Sequence, residues 1–301
     1  MNTGAINALL VDLVAGEPPN GAHPTVWMGK LIAGGRSRRK SRDNWLSFAE
    51  GALVVGGGVF VTAAIASALS RSVNKAPASM QSTLRGLALK PALSLRPLIV
   101  AARKVQCALE DGELDRARNL LAYHLVSRDT TPLTADEVAG AAIESVAENL
   151  SDSVVAPLLA FRVGGLTAAY AYRFINTADA MLGYRTPELE WFGKAPARAD
   201  DVANFIPARV TAALICATAT AARGSARHAF RTASRDARRT DSPNAGWPMA
   251  AMAGALDVRL TKRNQYVLNN NGYTPIPRDI ARCCRIALTV SALAATLVDV
   301  L

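Results

Sequence analysis

The chain has 301 residues, enough for one large domain or two small ones. Half of them are apolar and 19% are charged, below the quarter or so usual in soluble domains, and the mean hydropathy is only +0.14. This excludes a typical soluble composition and implies short apolar spans joined by substantial polar loops. The net charge of +10 does not read as a nucleic-acid stripe, because the cations gather in Arg36–Arg42 (RSRRKSR) and Ala222–Arg239 (ARGSARHAFRTASRDARR). Each cluster adjoins an apolar run, as the positive-inside bias produces, and no zinc-finger or RNP-like pattern accompanies them, so no nucleic-acid partner is expected.

In chain order, the first apolar stretch, Ala5–Ala15, carries Asp12 and no basic residues before it, which argues against a cleaved signal peptide. A polar block, GEPPNGAHPTVWMGKLI (Gly16–Ile32), follows. The clearest span is Phe48–Ser70, uncharged after Glu50, where Gly56, Gly57 and Gly58 allow close helix packing. Gly86–Ala102 is ambiguous, with Lys90, Pro91, Arg96 and Pro97 inside it. If it crosses a bilayer both basic clusters share one side; if it lies along the surface they do not. Lys104–Val126 reads as two helices parted at Asp111-Gly112, and Thr134 with Glu137 forms a capping box that starts the next helix. Further candidate spans are Val154–Phe174, interrupted by Arg162, Ala203–Ala222, interrupted by Arg209, and the short Ile286–Leu301.

No strand pattern of useful length occurs. The expected fold class is all-α, a polytopic membrane helical bundle with amphipathic and soluble helical loops, organised as a single domain over 1–301. Cys107, Cys216, Cys283 and Cys284 show no CxxC pairing, so neither a zinc site nor a disulfide framework is expected. His23 and His124 are lone histidines.

Four polar blocks carry what chemistry the sequence offers. SRDTTPLTADE runs into ESVAENLSDSVVAPLLAF (residues 144–161), where Glu144, Glu148 and Asp152 are four apart. On a helix they share a face about 80° wide, with Ile143, Val146 and Leu150 opposite. That stripe fits a solvated face, a cation site or a proton path. In Tyr172–Val210, Arg173, Asn176 and Asp179 recur at spacing three, and Asp200-Asp201 follows Arg198 and precedes Asn204 and Arg209. Carboxylates mixed with guanidinium forks suit a phosphate-and-magnesium substrate, while interhelical salt bridging is the plain alternative. SPNAGWP (Ser242–Pro248) forces an irregular backbone, an anion nest or simply a loop. No GxxxxGK[ST], GxGxxG, GxSxG or HExxH occurs.

Six segments in colinear order, GEPPNGAHPTVWMGKLI, SRDTTPL, ESVAENLSDSVVAPL, NTADAMLGY, FGKAPARADDVANFIPAR and SPNAGWPMAAMAGALDVRL, resemble the adenosylcobinamide-phosphate synthase family, the CobD/CbiB-type proteins of cobalamin biosynthesis. The chain departs from the family pattern at Glu17, Ser153 and Lys194, where Asp, Gly and Trp are usual. The resemblance implies a multi-pass cell-membrane enzyme that joins the propionate carboxylate of adenosylcobyric acid to the amine of aminopropanol or its O-phosphate. It implies ATP as co-substrate and magnesium as cofactor, since a carboxylate must be activated before an ammonium can attack it. Laid over the acid and arginine blocks, it assigns catalysis to Glu144, Glu148, Asp179 and Asp201. Substrate binding falls to His23, Arg128, Asp129, Asn149, Arg173, Asn176, Tyr184, Arg198, Asn204, Arg209, Asn244 and Trp247, and metal binding to Glu148, Asp152 and Asp200. The implied partners are the corrinoid, the amino alcohol and the lipid bilayer, with a homo-oligomer or an association with other corrinoid-pathway enzymes left open. The competing class is a transporter or a corrinoid-binding membrane protein without ligase activity, which inverted repeats with broken helices would support.

Overall fold

In the computed structural model the described residues are 3–19, 21, 23–39, 43–184 and 186–300, so Lys40, Ser41 and Arg42 of the first basic cluster lie outside them. The helices are α1 (Ala5–Ala15), α2 (Pro24–Ser37), α3 (Asn44–Asn74), α4 (Ala78–Leu89), α5 (Leu95–Glu110), α6 (Leu114–His124) and α7 (Ala135–Leu150). They continue as α8 (Ala156–Leu182), α9 (Lys194–Ala203), α10 (Phe205–Thr218), α11 (Ala226–Asp236), α12 (Gly246–Leu256) and α13 (Pro277–Val300). The fold class is all-α, as expected, with one small addition: β1 (Leu260–Lys262) and β2 (Tyr266–Leu268) form an antiparallel hairpin. Four helical segments among the described residues are long and apolar enough to cross a membrane: Asn44–Asn74, Ala135–Leu182, Phe205–Ala222 and Pro277–Val300. Gly86–Ala102 is not one of them, because α4 stops at Leu89, a tight turn occupies Lys90–Ala92, and α5 begins at Leu95.

The described chain divides into two compact units. The first comprises Met1–Ser94, Ala156–Asn204 and Ala295–Leu301. Its longest helix, α3, starts where Asp43 accepts a hydrogen bond from the Leu46 amide at 2.9 Å. At 1.5 Å per residue it is about 46 Å long, more than a bilayer core requires. Only 17% of its most apolar window is buried, and Leu53, Phe60 and Ile65 point outward, which is the pattern of a helix solvated by lipid. Close packing uses Gly58, where a Cβ would strike the ring of Phe174, whereas Gly56 and Gly57 face open space. α8 contains a break at Gly164-Gly165, where Gly165 takes a φ of +63°. At the chain's end, Asp299 accepts from the amides of Gly4 and Ala5 at 2.8 and 2.9 Å and caps α1, placing a negative charge where that helix's dipole is positive.

The second unit comprises Leu95–Val155 and Phe205–Ala294. α5 and α6 form the expected helix–turn–helix pair, turning at Gly112 with a φ of +77°. Thr134 and Glu137 form the capping box of α7. Beyond that start α7 is a core helix, buried from Val138 to Ala147. A π-helical turn, Ser151–Val155, follows it and widens the register by one residue. α12 is buried except at Trp247 and packs on α7, α10 and α11.

Candidate active site

The second unit contains a cavity of about 280 Å³ lined by α7, the Leu125–Arg128 segment, α12 and the hairpin. Glu144 and Glu148 enter it from one face of α7, four residues apart. Glu144 is only 5% exposed, which rules out the solvated-face reading for that position. Its Oε2 lies 3.6 Å from a guanidinium nitrogen of Arg128, and its Oε1 meets no donor at hydrogen-bonding distance. A buried carboxylate with one oxygen unsatisfied is costly, so the site is incomplete without a proton, a cation or a ligand.

Local sequence explains how the cavity is built. Ser145 donates to the carbonyl of Leu125 at 2.7 Å and so ties the segment carrying Arg128 to α7. On the other wall, Lys262 and Tyr266 are directly paired in the hairpin and project on the same side. The tip residue Arg263 forks onto Glu137 at the start of α7 and holds the hairpin over the cavity. The hairpin base is fixed by the Asn269 amide, which donates to Asp236 at 2.8 Å, while Asp236 also grips Arg235 and Arg239. Burial, then the charges of Glu144 and Glu148, push the Tyr266 phenol above its ordinary value, so it stays protonated and can donate.

Asp152 does not line this cavity. The π-helical turn begins at Ser151, so the four-residue register of the acidic stripe ends at Glu148. Asn149 turns its amide back onto the Ser145 carbonyl at 2.9 Å. Asp129 accepts from the amide and hydroxyl of Thr131 at 2.9 and 2.7 Å, a turn that lowers its carboxyl below the usual range and leaves it exposed, away from the cavity. Elsewhere in the second unit, Arg209 stacks 3.6 Å from the Phe205 ring and 5.0 Å from Trp247 and donates to Asn244 at 3.2 Å. The SPNAGWP segment is a helix start and not an open nest, because the amides of Asn244 and Ala245 both donate to Ser242.

The first unit holds the remaining predicted residues in two groups. Asp200 accepts from the amides of Asn204 at 2.9 Å and Asn176 at 3.3 Å; Asn204 accepts from the Tyr172 hydroxyl at 2.8 Å, and Arg173 approaches Asn176 at 3.5 Å. Burial raises the Asp200 carboxyl above its ordinary value against the pull of those amides. Arg198 lies 3.6 Å from Asp201, Asp179 sits in the last turn of α8, and Tyr184 is exposed just past it. The second group surrounds Glu17. His23 caps α2 by accepting from the Thr25 amide at Nδ1, which leaves Nε2 to donate to Glu17 at 2.6 Å. Lys90, itself buried, reaches Glu17 at 2.8 Å and the buried Asp12 at 3.4 Å. Burial alone would raise the Glu17 carboxyl, but the hydrogen bonds from His23 and Lys90 prevail and hold it at about 2.

Among the described residues no three His, Cys, Asp or Glu side chains converge as a metal cage. Glu144 and Glu148 nevertheless offer hard oxygen donors beside a cavity, which are the donor type that a magnesium ion takes from one or two carboxylates. Lys262 and Tyr266 are cavity residues that lie beyond every segment the sequence singles out. The segment SPNAGWPMAAMAGALDVRL ends at Leu260, and the three-residue strands that begin there are too short for an alternation signal.

The architecture and this site define a helical protein with four membrane-crossing candidates and a small internal acid-and-base cavity. The chain belongs to the CobD/CbiB family, whose description as CobD/Cbib protein matches residues 5–287. It is 38% identical over 266 residues to the probable cobalamin biosynthesis protein CobD of Methanothermobacter thermautotrophicus, covering 87% of this chain and 85% of that protein. It is 40% identical over 268 residues to the cobalamin biosynthesis protein CobD of Geobacter metallireducens, covering 87% and 81%. Against the cobalamin biosynthesis protein CobD of Dehalococcoides mccartyi the figures are 36% over 288 residues, 95% and 91%. No solved structure matches.

Proposed function

We propose that this chain is a cell-membrane ligase of cobalamin biosynthesis that joins aminopropanol O-phosphate to the propionate carboxylate of adenosylcobyric acid, giving adenosylcobinamide phosphate at the expense of ATP. The observation that carries it is the cavity of about 280 Å³ lined by two carboxylates, Glu144 and Glu148, and two cations, Arg128 and Lys262. That charge arrangement complements a small zwitterion with an ammonium at one end and a phosphate at the other. The cavity lies below the roughly 300–1,000 Å³ of pockets for drug-sized ligands, so it suits the amine and not a corrin macrocycle. Family membership and the names of the relatives support the pathway.

ATP enters this reading through the family resemblance alone, and the groups in the cavity suit the amine's part of the reaction. The corrinoid carboxylate is unreactive until an oxygen of it attacks the terminal phosphorus of ATP, releasing ADP and leaving an acyl phosphate. The amine must then reach that acyl carbon uncharged. Glu144, buried and hydrogen-bond-poor at Oε1, takes the ammonium proton, while Arg128 and Lys262 hold the substrate's phosphate and fix the nitrogen's position. The amine attacks the carbonyl and inorganic phosphate leaves with the bond electrons. Magnesium, where Glu148 would hold it, would supply charge neutralisation for phosphate oxygens. Tyr266, protonated, completes the cavity wall, its hydroxyl reaching the Met249 Sδ at 3.9 Å.

Purified protein in detergent, given adenosylcobyric acid, ATP, magnesium and the amine phosphate, is expected to yield an amide by mass spectrometry with one ADP per product. Uptake of corrinoid into vesicles without amide or ADP would replace this reading with transport.

A further inference from the structure

We infer that the outward face of α11 is a docking surface for anionic phospholipid headgroups. At 100° per residue, Arg227, Phe230, Arg231, Ser234, Arg235 and Arg238 fall within about 140° of one another, Arg238 lying in the turn that continues the helix. The opposite side, Ala229, Thr232, Ala233 and Asp236, is buried against the second unit's core, so the arginine face has no role in that packing. Arg235 spends its charge on Asp236, and Asp257 pairs with His228 at 3.2 Å. Among the described residues no acidic side chain forms a salt bridge with Arg227, Arg231 or Arg238.

Position and shape select the partner. The apolar segment Phe205–Ala222 is long enough to cross a bilayer, and α11 starts at Ala226 after Arg223, Gly224 and Ser225. Arg227 is therefore about one helical turn past the point where the chain leaves the apolar layer, and the rest of the face follows on the same helix, so that it starts within reach of a negative surface potential. Phe230 is 65% exposed in the middle of the face, an aromatic that the headgroup boundary accommodates and bulk water does not favour. The surface is one side of a helix, not a concave nest of the kind that grips a soluble phosphate.

The test uses the intact wild-type protein in nanodiscs of phosphatidylcholine alone or with phosphatidylglycerol. A dicarbonyl reagent modifies accessible arginines, and peptide mass spectrometry reads the rate at each. Modification of Arg227, Arg231 and Arg238 is expected to slow about threefold or more in the anionic discs and to recover in high salt, while the exposed Arg116 on α6 keeps its rate. Arg227→Glu combined with Arg231→Glu is expected to return Arg238 to its neutral-disc rate. Equal rates in both discs, the same slowing at Arg116, or protection by inorganic phosphate alone in neutral discs would each overturn the inference.

Discussion

Glu144 in the second unit and Asp200 in the first are both carboxylates drawn out of water, and their surroundings differ in kind. Both oxygens of Asp200 accept amide hydrogen bonds, from Asn204 at 2.9 Å and Asn176 at 3.3 Å, so its lone pairs are engaged in holding α8 to α9. Glu144 has a guanidinium at 3.6 Å on one oxygen, no donor on the other, and a cavity in front of it. Burial by itself therefore does not mark a reactive acid. An acid available for proton transfer is one whose acceptor capacity is unspent and whose position opens onto space for a substrate.

The contrast breaks most visibly at Glu144. Glu144→Gln keeps size and removes the base, so amide formation should fall about 100-fold or more while detergent extraction and elution stay unchanged. Arg128→Ala should next raise the KM for the amine phosphate by about 10- to 100-fold, as expected when a charged hydrogen-bond partner worth about 1.5–3 kcal/mol is lost, with kcat less affected. Free aminopropanol, lacking the phosphate, should show a much smaller change in the same assay. At Asp200 the sign reverses: Asp200→Ala strands two amides and should cost about 1–3 kcal/mol of stability, read as a lower melting temperature in detergent, whereas Asp200→Asn should recover part of it. Tyr266→Phe should reduce turnover by a few-fold, about 0.5–1.5 kcal/mol for one neutral hydrogen bond.

A further effect concerns acid. Glu17 is held at about 2 in the folded chain against an ordinary 4.5, so its contribution is complete above pH 4.5 and is lost as pH falls toward 2. Glu17→Gln should flatten that part of the stability profile and change nothing at neutral pH beyond a constant offset.

Much of this is written in the sequence. Long apolar runs announce α3 and α10, and the Thr134/Glu137 box announces α7, because length, hydrophobicity and capping are local properties. Glu144, Glu148 and Arg128 were accessible to spacing and to family resemblance. The same spacing reaches Asp152, which sits in a π-helical turn outside the cavity lining; such a turn depends on packing and leaves no simple sequence mark. Lys262 and Tyr266 escaped because the hairpin that presents them is only three residues a side and is fixed by distant partners, Glu137 and Asp236. His23 and Asp129 also meet local demands that their spacing does not show, a helix cap and a turn.

The most direct test of the account is single-turnover amide formation from adenosylcobyric acid and aminopropanol O-phosphate, with ATP and magnesium, by wild type and Glu144→Gln side by side. The account predicts stoichiometric amide from wild type and, from a variant with an unchanged melting temperature, a rate lower by about 100-fold or more. Wild-type turnover in Glu144→Gln would contradict it.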